Sequence, residues 1–571
     1  MNLVITEKPS VAMSIAKVIG ANNKKDGYYE GNGYKVSWCV GHLIQLANPD
    51  AYDEKYAKWD IKDLPIMPNQ YKYDVSKNTK KQFLTLKKLM NDNDIKTIIN
   101  ACDAGREGEL IFRLVYEKVN CEKTIKRLWI SSMEESAIRD GFNNLKDGIE
   151  YDNLFRSAQA RSIADWLVGI NLSRLYSILY NINYSVGRVQ TPTLNMIVSR
   201  NLEINNFKKE KYYTVSLDLG DFSLKTDRIN DFDVASTLLN SLDEKINITD
   251  VQKEEKKTNP DLPFDLTTLQ RECNKYFGYS AKQTLDYAQS LYEKKFITYP
   301  RTDSRYLTID MIDNIINNVF SGKDFNKDRI KVVFNSSKVT DHHAIIPTIS
   351  SLKEDVCILP ESEEKVYKLI LNKFYSSMGY PLIQNTTKIL YEFNGFNFKI
   401  TGNEIISEGF TTYLKEYKKN TEIILLPSIE KGQEFRLVGK NIDENYTKPP
   451  KQYTEDTLLK AMENAGKEYL DKDIEIERSG LGTPATRAGI IENLISKGFV
   501  TRDKKNLIPT QKGISLITIV GENIKSSKMT ANWEMKLSEI ASGKYNDKVF
   551  LQEIEDEIVE TIKLYKGIYN A

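Results

Sequence analysis

The sequence predicts a multidomain protein of mixed class, α/β together with α+β. Three observations carry that expectation. Strand–loop–helix units open the chain, two β-rich stretches bracket a helical insert, and one helix–turn–helix–wing plan occurs twice. At 571 residues the chain has room for roughly three to five domains. Its hydrophobic content of 40% is ordinary for full cores, and its net charge of +1 leaves a local basic face open.

The first unit runs "LVIT" as a strand, "EKPS" as a loop and "VAMSIAKVIG" as a helix ended by Gly20. The pattern recurs as "TIINAC", the loop "DAGREGE" and the helix "LIFRLVYEKV". Such alternation predicts a parallel sheet, whose ligands sit outside the carboxyl ends of the strands. Glu7 and Asp103 both occupy that position. Either the two carboxylates converge at one edge, or each only favours the dipole of the helix it precedes.

Residues 155–180 read as helix, with Arg156, Arg161 and Arg174 among apolar residues. Arg161 and Asp165 stand at i,i+4, the spacing of a helix-face ion pair. "YSVGRVQTPTL" follows, with a turn at Gly187, Thr191 as N-cap and Pro192 as the first helical residue.

Residues 212–255 and 385–445 alternate apolar and polar, as in "YYTVSLDLGDFSLKT" and "TKILYEFNGFNFKIT". A proline-marked joint, "NPDLPF", opens the helical insert between them. A β domain interrupted in this way requires the chain to go out and come back.

Inside the insert, "TTLQRECNKYFG" is a helix ended by Gly278, Ser280 caps "AKQTLDYAQSLYEKK", and "FITYPR" leaves as a strand. Near the C-terminus, "TEDTLLKAMENAG" is followed by Thr483 and Pro484 opening "ATRAGIIENLISKG", and "FVTRDKKNLIPT" leaves as a hairpin. This is the winged-helix plan, which most often binds nucleic acid and also serves protein interaction. The junctions "KKFITYPR" and "KGFVTRDK" align, so Tyr299 stands where the second copy has Arg502.

Tyr299 is one of 32 tyrosines, so a surface role is the plain reading. The proline after it forces extended geometry, and Arg301 and Arg305 are close. A phenol titrates near 10 and becomes a useful nucleophile only where cations stabilise its phenolate.

Other classes are excluded or disfavoured. No two of the five cysteines are spaced CxxC, which argues against zinc ribbons and a disulfide framework. No GxxxxGK[ST] occurs, which argues against a P-loop NTPase. The N-terminus lacks a signal-peptide pattern, and no apolar run is long enough for a bilayer.

"VITEKPSVA", "CVGHLIQL", "DAGREGELI", "SVGRVQTP", "PFDLTTLQRE", "FITYPRTDSRYL", "DHHAIIPT" and "GLGTPATRAGIIENL" together resemble the type IA DNA topoisomerases, particularly the bacterial topoisomerase III branch. They run from about residue 2 to about 545. The resemblance implies a toroid of four domains. These are a Toprim domain (1–150), a winged-helix and helical DNA-binding domain (151–211 and 446–571), a β-rich topological arch (212–258 and 384–445) and a winged-helix domain carrying the catalytic tyrosine (259–383).

It also implies chemistry. Tyr299 attacks a phosphodiester of single-stranded DNA, forming a 5′-phosphotyrosine. Another strand passes, and the 3′-hydroxyl reverses the bond. Glu7 serves as general acid and base, with Lys8 and Arg301 stabilising phosphate charge. Glu7, Asp103 and Glu107 hold Mg²⁺. Many family members read Asp-x-Asp-x-Glu here, but this chain has Gly105 at the second aspartate. One Mg²⁺ is therefore expected, with Glu7 or Glu109 contributing, and neither ATP nor zinc. The expected DNA path passes Trp59, Arg161, Trp166, Arg174, Ser185, Gly187, Arg188, Val189, Gln190 and Thr191. Of the pair His342 and His343, one is expected near the scissile phosphate and one structural.

Negatively supercoiled or catenated DNA is the implied substrate, and a helicase and a single-strand-binding protein the implied partners. A cytoplasmic, nucleoid-associated monomer without membrane contact is implied. The acidic stretch "LQEIEDEIVETI" reads as a solvated helix. The missing zinc-ribbon tail of topoisomerase I points to decatenation over bulk relaxation. Two alternatives stand beside this reading, another Toprim enzyme such as a nuclease or primase, and a non-catalytic single-strand-binding scaffold.

Overall fold

The computed structural model describes residues 1–130, 133, 135–339, 341–417, 424–467 and 480–569. Its N-terminal part is built on strands β1 (Asn2–Thr6), β2 (Asn23–Lys25), β3 (Tyr28–Gly31) and β4 (Tyr34–Trp38). β5 (Ile44–Leu46) and β6 (Tyr73–Val75) form a separate pair, and β7 (Thr97–Ala101), β8 (Thr124–Arg127) and β9 (Lys146–Asp147) complete the main sheet. The order is β2-β3-β4-β1-β7-β8-β9, and β1 is parallel to both β4 and β7. Leu3 and Ile5 enter one core and Val4 the other, so β1 is apolar along its length because both faces are covered. The register sets Thr6 beside Ala101, which brings the loops after β1 and β7 to one sheet edge.

The helix after β1 is Pro9–Ile19, with Gly20 in the left-handed conformation at its end (φ 80). The helix after β7 begins at Arg106, earlier than expected. Glu107 and Glu109 therefore lie in its first turn rather than in a loop, where carboxylates suit the helix dipole.

The β-rich stretches join as expected. β10 (Lys211–Asp218), β11 (Ser223–Thr226) and β13 (Asp250–Thr258) form one sheet with β14 (Leu382–Phe393), β15 (Phe396–Ser407) and β17 (Gly439–Tyr446), while β12 (Lys245–Asn247) pairs with β16 (Glu434–Arg436). Asn394 and Gly395, at φ 48 and 78, make the two-residue turn of the β14–β15 hairpin. The helix Phe232–Ser241, not anticipated, packs on this sheet through Ala235 and Leu238.

In the insert, Gly278 ends the helix Leu266–Phe277 at φ 76, and Ser280 caps the helix Ala281–Glu293 with a capping box. The strand expected from "FITYPR" is not a ladder. It pairs only at the isolated bridge between Ile297 and Pro347, because Pro300 lacks an N–H to continue it. The C-terminal counterpart does form a hairpin, β18 (Val500–Asp503) with β19 (Asn506–Pro509).

The helix Asp152–Tyr180 spans 29 residues, about 44 Å. The next helix, Gln190–Asn205, starts before the expected cap. Thr191 already donates its N–H to the Gly187 carbonyl, and its Oγ1 accepts the Gly187 N–H at 3.1 Å. The acidic C-terminal helix Asp547–Tyr569 is only half solvated. Phe550, Ile554, Ile558 and Ile562 recur every four residues and are buried against the long helix. Among the described residues, no helix is long and apolar enough to cross a membrane.

Candidate active site

Three chain segments meet at the sheet edge. Thr6, at the end of β1, donates Oγ1–H to the Lys8 carbonyl and so shapes the Glu7–Lys8 turn. The loop after β7 is held from below by Arg127, whose buried guanidinium donates to the carbonyls of Asn100, Cys102, Asp103 and Leu128. The third segment comes from the insert. Thr302 Oγ1 donates to the His342 carbonyl and Thr298 Oγ1 to the Ala344 carbonyl, tying the Tyr299 segment to the histidine segment.

Lys8 is the centre of the arrangement. Its ammonium lies 2.5 Å from Asp103 Oδ2, 3.1 Å from Glu7 Oε1 and 4.1 Å from the centre of the Tyr299 ring. His342 Nε2 approaches Asp103 Oδ2 at 3.1 Å, and its ring centre is 4.6 Å from that of Tyr299. Glu7, Lys8, Asp103, Tyr299 and His342 thus stand together. His343 is partly buried, with Nδ1 on the Ala344 carbonyl, and desolvation lowers its pKa to about 4.

The electrostatics follow from burial and charge. Burial alone would raise Asp103, but His342 and Lys8 hold it well below the usual carboxylate range. Burial, then the charge of Asp103, raises Glu7. Burial would lower Lys8, but Asp103 and Glu7 keep it firmly protonated. Burial raises Tyr299, and Lys8 opposes that rise. The site therefore holds a protonated phenol, a cation against its face and a carboxyl group inclined to keep its proton.

Other expected residues are placed differently. Arg301 is exposed and forms no ion pair among the described residues. Glu107 is half-exposed, 3.3 Å from Arg161 Nη1 and 3.4 Å from His42 Nε2. Glu109 is not available as a metal ligand, since its buried carboxylate is taken by Arg127, Arg113 and Asn100. Arg188 is buried between Asp165 at 2.6 Å and Glu534 at 3.1 Å, so its guanidinium is already paired within the chain. The Arg161–Asp165 pair is loose, at 3.9 Å, because Arg188 takes Asp165. Trp166 packs on Tyr52 and Tyr71. Val189 packs against the same core, and Thr191 is buried.

Trp59 is exposed, with the Arg174 guanidinium 5.3 Å from its ring. Both line a cavity of about 460 Å³ with Ser173, Ser185, Asn183 and Lys497. Gln190 Nε2 donates to Ser185 Oγ at 2.8 Å beside Gly187. Sequence reasoning missed His42, Tyr292 and Glu534. Tyr292 stacks edge-on against Tyr299 at 5.3 Å and shares a 3.2 Å hydrogen bond with Ser10. His42 lies within the quoted "CVGHLIQL", which was the available signal. Tyr292 and Glu534 sit in unremarkable helical sequence and gave none.

Asp103, Glu107 and Glu7 are hard oxygen donors at the mouth of a helix N-terminus. Among the described residues no three His, Cys, Asp or Glu side chains are grouped as a ready metal cage. Mg²⁺ needs none, since it binds through one or two carboxylates and keeps several waters. The chemistry of this donor set fits a hydrated Mg²⁺.

Residues 150–552 match the family described as DNA topoisomerase, and residues 2–133 match the Toprim domain. The chain is 39% identical over 599 residues to DNA topoisomerase 3 of Bacillus licheniformis, covering 99% of this chain and 82% of that protein. It is 38% identical over 596 residues to DNA topoisomerase 3 of Bacillus subtilis, with the same coverage of both. Among solved structures it is similar to full-length topoisomerase I from Thermotoga maritima, with a TM-score of 0.72 and 26% identity over 98% of this chain and 90% of that one. Matches to family, relatives and structure along almost the whole length agree with the tyrosine, lysine and carboxylates gathered at the sheet edge, and the chain belongs to the type IA DNA topoisomerases.

Proposed function

We propose that the chain cleaves single-stranded DNA through Tyr299, passes a second strand and reseals the first, relaxing negative supercoils and separating catenated DNA. The observation that carries this reading is the Lys8 ammonium, shared by Glu7, Asp103 and the Tyr299 ring.

In cleavage the Tyr299 oxygen bonds to phosphorus and releases its proton to solvent. The bond from phosphorus to the 3′-oxygen breaks, and Glu7 delivers a proton to that oxygen. The raised pKa of Glu7 suits an acid that must then take the proton back in resealing. Lys8 lowers the cost of phenolate character on Tyr299 and of charge on the phosphate. The exposed Arg301 is available to the same phosphate. His342 orients Asp103 and flanks the phenol. Asp103 and Glu107 would hold one Mg²⁺, with Glu7 beside it, and the ion when bound supplies positive charge to the phosphate. The phosphotyrosine conserves the energy of the broken bond, so no ATP is needed.

Trp59 and Arg174 are suited to an unpaired base and its phosphate, with Ser185 and Gln190 completing that wall. Arg161, paired with Glu107 at 3.3 Å, offers a further cation to the backbone. The helix–turn–helix segments act as winged helices and the six-stranded sheet as the arch of a toroid. The enzyme works as a monomer in the cytoplasm with a helicase and a single-strand-binding protein, and favours decatenation.

The test is negatively supercoiled plasmid with the protein and Mg²⁺, without ATP, beside Tyr299→Phe. Wild type should ladder the plasmid toward relaxed in steps of one, EDTA should stop it, and the variant should be inert. Nicking by both proteins would assign the chemistry to the Toprim carboxylates. No change with either would reduce the chain to a binding scaffold.

A further inference from the structure

The helix Ala281–Glu293 ends just before the Tyr299 segment, and Tyr292 stands in its last turn. The Tyr292 carbonyl accepts the N–H of Lys295, where the chain turns at φ 65 into the buried Phe296 and Ile297. On either side of Tyr292, Ser290 Oγ and Lys294 Nζ donate to Glu363 of the helix Glu361–Ser377, at 2.9 and 2.6 Å. The backbone that carries Tyr292 is therefore held from both sides. Its ring stands edge-on to that of Tyr299, with 5.3 Å between centres and 71° between planes, a preferred geometry for aromatic pairs. Its hydroxyl reaches out of the insert and shares a 3.2 Å hydrogen bond with Ser10 Oγ, in the first turn of the helix Pro9–Ile19.

We infer that Tyr292 is a positioning residue for Tyr299: its ring sets the plane of the reacting phenol, and its hydroxyl fixes the pair against the Toprim part through Ser10. The inference rests on Tyr299 as the nucleophile proposed above and adds what aims it. Pro300 restrains the backbone of Tyr299 to extended geometry but leaves its side-chain torsions to be set by neighbours. Three groups bound the ring, Lys8 at 4.1 Å, His342 at 4.6 Å and Tyr292 at 5.3 Å. Lys8 and His342 both pair with Asp103, so their places follow its charge. Tyr292 is placed by its helix and by Ser10, and it holds the ring without drawing on that charge.

Ser10 follows Lys8 closely in the turn after β1, so the Tyr292–Ser10 bond also sets how the phenol meets the Lys8 ammonium. A reacting group displaced by about 1 Å can lose on the order of 10²-fold in rate. When the insert draws away for strand passage this bond must break. Re-forming it returns the phenol to the ammonium in register.

The experiment is single-turnover cleavage of an end-labelled single-stranded oligonucleotide by the full chain with Mg²⁺, trapped as the covalent adduct. It compares wild type, Tyr299→Phe, Tyr292→Leu, Tyr292→Phe, Ser10→Ala and the double variant Tyr292→Phe/Ser10→Ala. Anisotropy of the same oligonucleotide gives Kd, and thermal unfolding checks the fold. Tyr292→Leu should slow cleavage by about 10–10²-fold, with Kd and Tm near those of wild type. Tyr292→Phe keeps the ring and should recover all but about fivefold, the worth of one neutral hydrogen bond. Ser10→Ala should match it, and the double variant should be no slower than either single one. Cleavage by Tyr292→Leu at the wild-type rate, a loss matched in Kd or Tm, or a Phe variant as slow as the Leu variant would overturn positioning by the ring. Losses that multiply in the double variant would overturn the Ser10 bond, and that arm stands even where Tyr292→Leu fails to fold. An adduct formed by Tyr299→Phe, or none formed by wild type, would instead overturn Tyr299 as the nucleophile.

Discussion

The Lys8 ammonium and the Asp103 carboxylate are 2.5 Å apart, joining two loops that are 95 residues apart in the chain. This pair sets the charge beneath Tyr299, because the same ammonium faces the phenol ring at 4.1 Å.

Lys8→Ala removes the cation that opposes the burial-driven rise of Tyr299. Single-turnover cleavage of an end-labelled oligonucleotide should fall about 10²–10³-fold, as for other lost charge-stabilising donors. Binding of the same oligonucleotide, read by anisotropy, should change far less. Equal losses in both would make Lys8 a binding residue only.

Glu7→Gln should slow cleavage and resealing together, by about 10²–10⁴-fold, the usual worth of a general acid–base. In wild type the acid form is favoured to higher pH than for an ordinary carboxyl, because burial and then Asp103 raise it. Cleavage needs that proton, so its rate should decline as pH rises through the elevated pKa. The decline should be missing from the Gln variant, and its persistence there would assign the titration to another group.

Glu534 is nearly buried and accepts from Arg106 at 2.9 Å and Arg188 at 3.1 Å. Against the burial that would raise it, Arg188, Arg161 and Arg106 lower its pKa from 4.5 to about 2. A depressed carboxylate stabilises the fold fully above its unfolded value. That contribution should shrink as pH falls from about 4.5 toward 2. At neutral pH Glu534→Gln should cost about 3–5 kcal/mol, since it leaves buried arginine charge unpaired. Urea unfolding at pH 7 and pH 3 measures both, and the difference between wild type and variant should narrow at pH 3.

Gly108→Ala should be destabilising although alanine favours helix. Its Cβ would sit 2.1 Å from the Asp103 carbonyl oxygen and 2.9 Å from the Asp103 nitrogen. Overpacking of this kind costs about 1–3 kcal/mol, which exceeds the propensity gain of about 1 kcal/mol. The same shift should displace Asp103 and slow cleavage. A variant that melts higher and cleaves normally would refute the crowding.

Titration with Mn²⁺ should reveal one tight site. Glu109 is engaged by Arg127, Arg113 and Asn100, so among the described residues no second carboxylate cluster stands ready for an ion. Two tight sites would sink the single-ion reading.

Local pattern was enough for much of this molecule. The apolar runs of β1 and β7 and the glycine stop at Gly20 were legible, as were the N-cap at Ser280 and the 500–509 hairpin. Each depends on residues a few positions apart, whose periodicity and backbone preferences act within one element. The motifs also singled out Glu7, Asp103 and Tyr299. The fate of the remaining charged groups was decided only by tertiary structure. Arg188 pairs with Glu534, 346 residues away in the chain. Asp341 occupies the space beside Gly105, and Lys8 bridges loops from two strands. A charge must find a partner or water, and which partner it finds depends on the segments folding brings to it, at separations over which sequence periodicity carries no information.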